Sequence, residues 1–216
     1  MRMERKLDTF IGQTKNIPTN YTECEYLESN RSQWIQTDYL VPVFSYISID
    51  VEILSNPTNF TSIFSARGFN QATSEYALYD ATLGSSYGII LRPYWTPAWK
   101  RDVPLQTKIN ITYTDTEILL DNILWKTINT SGMDTIVPDQ PLCLFGGWNN
   151  ASRSSARIYS CIAQNAETAI HLIPCLDENK IPCMYDLISG QTFRNKASGA
   201  FGYKIKATGE MVAPEE

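Results

Sequence analysis

Two carboxylates occupy alternate residues of the stretch ISIDVEIL, at Asp50 and Glu52. In an extended strand alternate residues share one face, so the two acids are expected to lie side by side. Paired carboxylates can hydrolyse glycosides, at separations of about 5–5.5 Å in retaining enzymes and about 6.5–9.5 Å in inverting enzymes. The third carboxylate of a catalytic ladder is absent from this stretch. We therefore expect the pair to form the polar face of a strand in a protein that is not an enzyme, with a catalytic dyad as the alternative.

The single histidine lies close to two of the five cysteines, in the stretch HLIPCLDENKIPC. Pro174 disfavours a helix, so His171 and Cys175 are expected on one extended strand, roughly 13 Å apart. Zinc ligands lie only about 2.0–2.3 Å from the metal, so these two residues cannot bind one ion without a bend. Cys175 and Cys183 could form a cross-strand disulfide. An odd cysteine count and the lack of an export signal instead favour reduced, buried thiols.

Two loops rich in side-chain oxygen atoms are candidate calcium sites. Calcium takes about six to eight oxygen ligands, clustered at characteristic loop spacings. Neither LDENK nor GGWNN has such a spacing, so both loops are expected to be solvated; their candidate ligands are Asp177, Glu178, Asn179, Asn149 and Asn150. No Gly-rich phosphate loop and no serine-nucleophile motif occurs. We expect neither a metal ion nor a cofactor.

Aromatic residues in stiff loops are the best candidates for ligand binding. In LRPYWTPAWKRD, Pro93 and Pro97 stiffen a loop whose rings could stack on sugar faces or anchor a protein partner. The alternative is that these rings only cap the core, where Trp34 and Trp125 are expected because they lie within strand patterns. The stretch GGWNN is a second, weaker candidate. Together the candidate ligand-binding residues are Arg92, Tyr94, Trp95, Trp99, Trp148 and Asn149.

Charge and composition argue against several kinds of partner. The net charge is −5 and no basic block occurs, which is unlike a nucleic-acid-binding protein. No apolar run approaches the roughly 18 residues that span a bilayer, and the first residues lack the apolar segment of a secretory signal. We therefore expect neither nucleic acid nor a membrane as partner, and synthesis in a cytoplasm.

Alternation of apolar and polar residues is the dominant pattern of the chain. It is clearest at 46–54 and 108–114, while 116–128 indicates two strands joined by a turn at Asp121 and Asn122. Further strands are predicted at 60–66, 75–80, 86–92, 141–146, 156–163, 168–173, 182–188 and 191–194. No stretch of twelve residues has a helical apolar stripe. Many short strands without crossover helices predict an all-β protein, a two-sheet antiparallel β-sandwich or jelly roll.

Both ends of the chain differ from this pattern. Residues 1–20 are polar and lack periodicity, so we expect an N-terminal arm or tether, with a frayed end as the alternative. The end of the chain, 207–216, is expected to be an acidic, solvated tail. A single domain is predicted between them, over residues 21–206.

Two terminal segments resemble the laminin-G-like, concanavalin-A-like jelly-roll domains of gut bacteria and their phages. One is EYLESNRSQWIQTDY at 25–39, and the other runs from IYS at 158–160 through IP at 173–174 to YDL at 185–187 and a glycine turn. The middle of the chain, 60–140, matches only in strand rhythm, and Ala156 stands where many relatives have Gly. The motif residues are Tyr26, Trp34, Tyr159, Pro174, Tyr185, Asp186, Gly190 and Phe193.

The resemblance implies a jelly roll, preceded here by the polar N-terminal arm inferred above; its first and last strands meet, and its motif residues are structural. Tyr185 would bury its ring, and Asp186 would accept hydrogen bonds from backbone donors in the turn. Phage-encoded members imply a virion protein: a head fibre, capsid decoration or tail-associated adhesin, made in the host cytoplasm. Its partners would be other virion proteins or copies of itself in a homo-oligomer, together with a host glycan. A glycan-active hydrolase and a bacterial cell-surface lectin are the alternatives.

Overall fold

The computed structural model shows an all-β protein. It describes residues 14–41, 45–55, 61–67, 75–83, 86–93, 99–101, 103–114, 116–127, 141–147, 153–165 and 167–215, with the backbone alone at 67, 75–83, 86–93 and 99–101. No helix occurs in these ranges, and hence none long and apolar enough to cross a bilayer. The prediction of an all-β chain is confirmed.

Eleven of the described strands form one antiparallel sheet, which we call the large sheet. Its strands are β1 (Thr22–Asn30), β3 (Tyr46–Ile53), β8 (Lys108–Tyr113), β9 (Glu117–Leu120), β10 (Ile123–Thr127), β12 (Ser155–Gln164), β13 (Ala169–Leu176), β14 (Pro182–Asp186), β15 (Thr192–Arg194), β16 (Gly202–Ile205) and β17 (Met211–Val212). The order across the sheet is β10-β9-β8-β3-β12-β1-β13-β14-β15, and β16 pairs with both β1 and β17.

The other six described strands form a second antiparallel sheet, the small sheet. They are β2 (Ile35–Leu40), β4 (Thr61–Arg67), β5 (Glu75–Leu83), β6 (Ser86–Pro93), β7 (Trp99–Arg101) and β11 (Pro141–Leu144), in the order β2-β11-β4-β5-β6-β7. The predicted strands outside the terminal motifs all occur, with bounds shifted by three residues or fewer.

Both sheets contribute to one hydrophobic core. Ile49 and Ile111 come from the large sheet, and Ile63 and Leu144 come from the small sheet; all four are fully buried. The rings of Phe64 and Tyr113 also meet at this core, with a centroid separation of 5.8 Å. Burying one face of each sheet against the other is how a β-sandwich removes its apolar side chains from water.

Local alternation explains the strands that were easiest to predict. In β3 the side chains of Ile47, Ile49 and Val51 lie in the core, while Asp50 and Glu52 lie on the opposite face. The predicted hairpin also forms between β9 and β10, with Asp121 and Asn122 at φ values of 49° and 63°. Both residue types tolerate this left-handed backbone, which a tight hairpin turn requires.

Trp125, which was expected in the core, packs against its margin and is only partly buried. It lies on β10, a strand at the end of the large sheet's order, where its neighbours Ile123 and Leu124 are 66% and 54% exposed. A strand at a sheet edge has a neighbour on one side alone, so its apolar side chains are covered incompletely.

The first strand pairs with strands from the last third of the chain. Residues 27–30 of β1 pair with β12, residues 22–23 pair with β13, and residues 24–28 pair with β16. A register shift between Cys24 and Tyr26 marks a bulge, which lets a strand bend. The expectation that the N-terminal and C-terminal strands meet is confirmed.

Parts of both terminal segments lie against the sheets. Before β1, the Lys15 backbone N–H donates to the Leu187 carbonyl, so residues 14–20 do not extend freely from the domain. At the other end, β17 pairs with β16, and the Glu215 carbonyl accepts a hydrogen bond of 2.5 Å from Gln33 Nε2. Residues 207–213 of the predicted solvated tail are exposed and include β17, while residues 1–13 lie outside the described residues.

Replacing Gly202 with alanine tests how tightly the C-terminal segment packs. A Cβ at this position would lie 2.6 Å from Pro214 Cδ and 2.8 Å from the Val212 carbonyl oxygen, so the segment after β17 must move. We expect Gly202→Ala to lower the free energy of unfolding by about 1–3 kcal/mol in urea titrations. Gly209→Asn is the control, because no atom lies within 4 Å and asparagine tolerates its φ of 74°. Equal stability of Gly202→Ala and wild type would contradict this packing.

Candidate functional site

The predicted aromatic binding residues are only partly covered by the structure. Tyr94, Trp95, Trp148 and Asn149 lie outside the described residues. Arg92 and Trp99 lie in β6 and β7, of which the backbone is described. Leu91 pairs with Trp99, and β7 ends the strand order of the small sheet. The aromatic binding loop therefore stays a prediction.

The two carboxylates considered for catalysis lie on the face of the large sheet that points away from the core, which we call the outer face. Asp50 accepts a hydrogen bond of 2.7 Å from Asn110 Nδ2 and pairs with Lys108 Nζ at 3.1 Å. Glu52 is 7% exposed and accepts a hydrogen bond of 2.6 Å from the Tyr159 hydroxyl. Both acids thus direct their oxygen atoms at neighbouring side chains.

Arg157 bridges two acidic side chains on this face, one from β1 and one from β3. Its Nε donates to Glu28 Oε2 at 2.7 Å, and its Nη1 donates to Glu52 at 3.3 Å. Burial alone would lower the pKa of Arg157, but the hydrogen bond and charge of Glu28 raise it, so the guanidinium stays charged. The same guanidinium lies 4.6 Å above the ring centre of Tyr26. This contact is a cation–π interaction that also buries the tyrosine.

Two tyrosines complete the arrangement. The rings of Tyr26 and Tyr159 meet edge to face with a centroid separation of 5.5 Å, and Lys108 Nζ lies 4.4 Å from the ring centre of Tyr159. Burial raises the pKa of Tyr159, and its hydrogen bond to Glu52 raises it further, so the hydroxyl remains a donor. Tyr26 is 5% exposed, whereas Tyr159 is half-buried and accessible from the outer face.

The strand register places four charged residues in one line across the sheet. Lys108 on β8 pairs with Glu52 on β3, Glu52 pairs with Arg157 on β12, and Arg157 pairs with Glu28 on β1. We call this line the charged row. Because the sign alternates from strand to strand, each charge is neutralised by its neighbours. This alternation of charge was not predicted from the sequence, because the four residues lie on four separate strands and become neighbours only when the strands pair.

The contacts of Asp50 and Glu52 favour a structural role over a catalytic one. A general acid must hold a transferable proton, and a nucleophile needs an oxygen directed at the substrate. Here Glu52 is surrounded by a guanidinium and a hydroxyl, while Asp50 is bonded to an ammonium and an amide. These donors hold both acids in place within the sheet.

The segment with histidine and cysteines is sheet, as predicted. His171 and Cys175 lie on β13, and Cys175 pairs directly with Cys183 on β14. All five cysteines are buried and none forms a disulfide. Burial raises the pKa of Cys175 to about 12, which suppresses the reactive thiolate. Within the described ranges, no three His, Cys, Asp or Glu side chains are arranged to hold a metal ion.

Asp186 performs the turn-forming role that was predicted for it. It is 2% exposed and accepts hydrogen bonds from the backbone N–H groups of His171, Ile188 and Ser189. The same turn ends at Gly190, whose φ of 81° suits glycine. The ring of Tyr185 is buried, as expected.

The remaining motif residues are also largely structural. Trp34 is 9% exposed and Pro174 is buried, while Phe193 is partly buried against the main core. Trp34 also binds a distant part of the chain, because its backbone N–H donates to Asn195 Oδ1 at 3.1 Å. Ala156, the departure from the family pattern, is fully buried in the core. The two resembling segments therefore meet in space.

Asp177 is a residue whose role was predicted wrongly. The loop LDENK was expected to be solvated, and Glu178 and Asn179 are exposed, but the side chain of Asp177 is fully buried. It accepts hydrogen bonds from the backbone N–H groups of Asn179 and Ile181 and from Arg194 Nε. The signal was an Asp at the start of a tight loop, where its carboxylate can bond the following N–H groups.

Acid titration tests the role of Asp177. Burial alone would raise the pKa of this carboxyl, but its bonds from Ile181, Arg194 and Asn179 together hold the pKa below its usual value. A depressed pKa stabilises the fold above about pH 3.8, and this stabilisation is lost as the pH falls further. We expect urea titrations from pH 2 to pH 6 to show a shallower acid-side loss of stability in Asp177→Asn than in wild type. Glu210→Gln, at an exposed acid, is the control; identical acid limbs in wild type and Asp177→Asn would exclude this role.

Two sequence comparisons found no match to this chain. No protein-family model matches it. No curated protein sequence matches it either. No family is shown for this chain, so the likeness of the two terminal segments stays a resemblance, and function has to be argued from the geometry.

Proposed function

We propose that this protein is a non-catalytic binding and assembly module of a bacteriophage virion, built on a laminin-G-like, concanavalin-A-like jelly roll. It serves as a head fibre, capsid decoration or tail-associated adhesin, made in the bacterial cytoplasm and displayed on the particle. Its partners are other virion proteins or copies of itself, together with carbohydrate on the host surface. A bacterial cell-surface lectin is the alternative location for the same binding role.

The observation that carries this proposal is that the buried acidic side chains are hydrogen-bonded to donors of the fold itself. Asp177 and Asp186 bond backbone donors in turns, and Glu52 bonds Arg157 and Tyr159. Groups held in this way are poor acids, bases and nucleophiles for a substrate. A protein whose buried acids are bonded in this way within its described residues is better suited to act through its surfaces, which is what a module for binding and assembly requires.

The outer face of the large sheet has the chemistry of a carbohydrate-binding surface. The charged row alternates in sign, so the outer face has no net field that would attract a polyanion, and the partly exposed side chains of Lys108 and Asp50 leave polar atoms open to a ligand. Neutral sugars present hydroxyl groups that both donate and accept hydrogen bonds. Tyr159 adds a half-exposed ring beside them, and aromatic rings are frequent anchors at binding surfaces.

The jelly roll is supported by the way the chain closes. β1 pairs with β16, and two antiparallel sheets share one core. A strand from each end of the chain, paired in one sheet, is what the resemblance implies for this fold. The five unpaired, buried thiols fit synthesis in a reducing cytoplasm.

A glycan-active hydrolase is the second candidate, and one observation favours it. Asp50 and Glu52 lie on the same outer face of β3, beside a half-exposed tyrosine. If the face hydrolyses glycans, reducing sugar is released, and Asp50→Asn and Glu52→Gln abolish that release. If it only binds them, no reducing sugar appears with any glycan that the protein retains.

Analysis of native phage particles tests the assembly role. We expect mass spectrometry of purified particles of the encoding phage to detect this polypeptide at a fixed ratio to the major capsid protein, because a structural component assembles in defined numbers. Particles washed in high salt are the control for adsorbed protein. Absence of the polypeptide from washed particles would rule out a virion protein.

Glycan binding tests the outer face. On a glycan array we expect Tyr159→Leu to weaken binding by about fivefold or more, since loss of an anchoring ring costs over about 1 kcal/mol. Tyr159→Phe keeps the ring and is the matched control, and Trp99→Ala reports on the predicted loop at the edge of the small sheet. Wild-type protein that binds no glycan on the array would refute carbohydrate recognition and leave assembly alone. Binding lost only in Trp99→Ala would place recognition on that loop.

A further inference from the structure

A short segment before β1 lies across one end of the large sheet. We call residues 14–21 the strap. Lys15 donates hydrogen bonds from its backbone N–H to the Leu187 carbonyl, and from its Nζ to the Ser189 carbonyl. Tyr21 meets the ring of Tyr185 edge to face at 5.6 Å, and its hydroxyl lies 3.0 Å from Thr192 Oγ1. The strap thus crosses the outer side of the β14–β15 hairpin.

Beneath the strap is a small apolar cluster, separate from the main core. Its buried members are Cys175, Cys183 and Tyr185, and Ile17 and Tyr21 of the strap pack against them. Ile173 and Leu187 complete the cluster. The two thiols are fully buried although they lie on the outer side of the sheet. Their cover on that side includes the strap residues.

The two thiols are placed for a covalent bond. Cys175 and Cys183 are direct cross-strand partners, and Cys183 Sγ lies 3.5 Å from the Cys175 carbonyl oxygen. In antiparallel strands, opposite residues alternate between hydrogen-bonded and non-hydrogen-bonded pairs. Asp177 N donates to Ile181 O and Leu187 N donates to His171 O, so 177–181 and 171–187 are hydrogen-bonded pairs, and 175–183 is one as well. Such pairs have Cα atoms about 5.5 Å apart, within the range of about 4.4–6.8 Å found in disulfides. Their Cβ atoms, at about 5.5 Å, are farther apart than the roughly 3.5–4.5 Å of a disulfide, so the bond also requires a local shift of β13 against β14 once the strap no longer packs on them.

The strap is held less firmly than the strands beneath it. It has no ladder of strand hydrogen bonds, and its residues 14–16, 19 and 20 are exposed. By contrast β13 and β14 pair over five successive positions. Segments with few buried contacts open at a lower free energy than the whole fold. Release of the strap is therefore expected without unfolding of the sheets.

We propose that the strap is a releasable cover over a redox-active cysteine pair, and that Cys175 and Cys183 form a cross-strand disulfide once it is lifted. The covered thiols are protected because burial raises the pKa of Cys175 to about 12 and that of Cys183 further. Exposure to water favours the thiolate, which is the reactive form. This inference does not depend on the proposed virion or glycan-binding role.

The oxidant is a small-molecule disulfide such as oxidised glutathione. One thiolate attacks a sulfur of that disulfide, forming a mixed disulfide and releasing one small thiolate, which takes up the first proton. The second thiolate attacks the protein sulfur of the mixed disulfide and releases the second small thiolate. Two protein thiols lose two electrons and two protons in total, and one small disulfide becomes two small thiols.

Residue-resolved thiol alkylation in the full-length protein tests the cover. In Ile17→Ser, which removes the apolar contact of the strap, we expect iodoacetamide to modify Cys175 and Cys183 about tenfold faster than in wild type, as measured by mass spectrometry of peptides. Cys143 and Cys161, buried elsewhere, serve as internal references whose rates stay unchanged. Ile181→Ser is the matched control, because Ile181 is 45% exposed in the turn between β13 and β14 but lies outside the apolar cluster beneath the strap.

Oxidised glutathione tests the bond itself. We expect Ile17→Ser to lose two thiols and about 2 Da of mass, and the double variant Ile17→Ser, Cys183→Ser to stop at the mixed disulfide. Unchanged alkylation rates at Cys175 and Cys183 would overturn the proposal, and so would equal acceleration at all five cysteines, which reports global unfolding. A stable mixed disulfide in Ile17→Ser, without the bond between the two cysteines, would overturn the cross-strand step.

Discussion

The structure depends on the backbone pairing of β1 with three strands from the far end of the chain. Residues 27–30 of β1 pair with β12, residues 22–23 pair with β13, and residues 24–28 pair with β16. The bulge between Cys24 and Tyr26 lets one strand serve these partners, because a bulge bends the strand and shifts its register. Without these pairings, the large sheet would expose unsatisfied N–H and C=O groups at its centre.

The residues of the two resembling segments gather around that closure. Trp34 bonds Asn195 through its backbone, Gln33 bonds the Ala200 and Glu215 carbonyls, and the rings of Phe145 and Phe201 meet at 4.9 Å. Polar side chains there replace strand hydrogen bonds at points where the chain leaves the sheets. This placement explains why motif residues such as Asp186 satisfy the backbone and leave little for chemistry.

Features that depend on a short stretch of sequence were predictable, whereas features that depend on contacts between residues far apart in the chain were not. Alternation in β3 and the Asp121–Asn122 turn follow from local side-chain chemistry, and both are observed. The charged row, the burial of Asp177 and the strand β17 depend on which strands become neighbours. Strand register decides those contacts, and register is fixed by the whole sheet. The candidate site was missed for this reason: its four charges lie on four strands of different chain position.

The late partner of β1 has a consequence for the order of events during translation. A ribosome adds about 5–20 residues per second, so β1 waits on the order of 10 to 40 seconds before β16 has been made. Throughout that interval one edge of β1 offers hydrogen-bonding groups to any other nascent chain. Contacts of such sequence separation also close slowly. Chaperones that bind extended segments, and slower synthesis at low temperature, are therefore expected to decide how much of this protein is recovered in its native form.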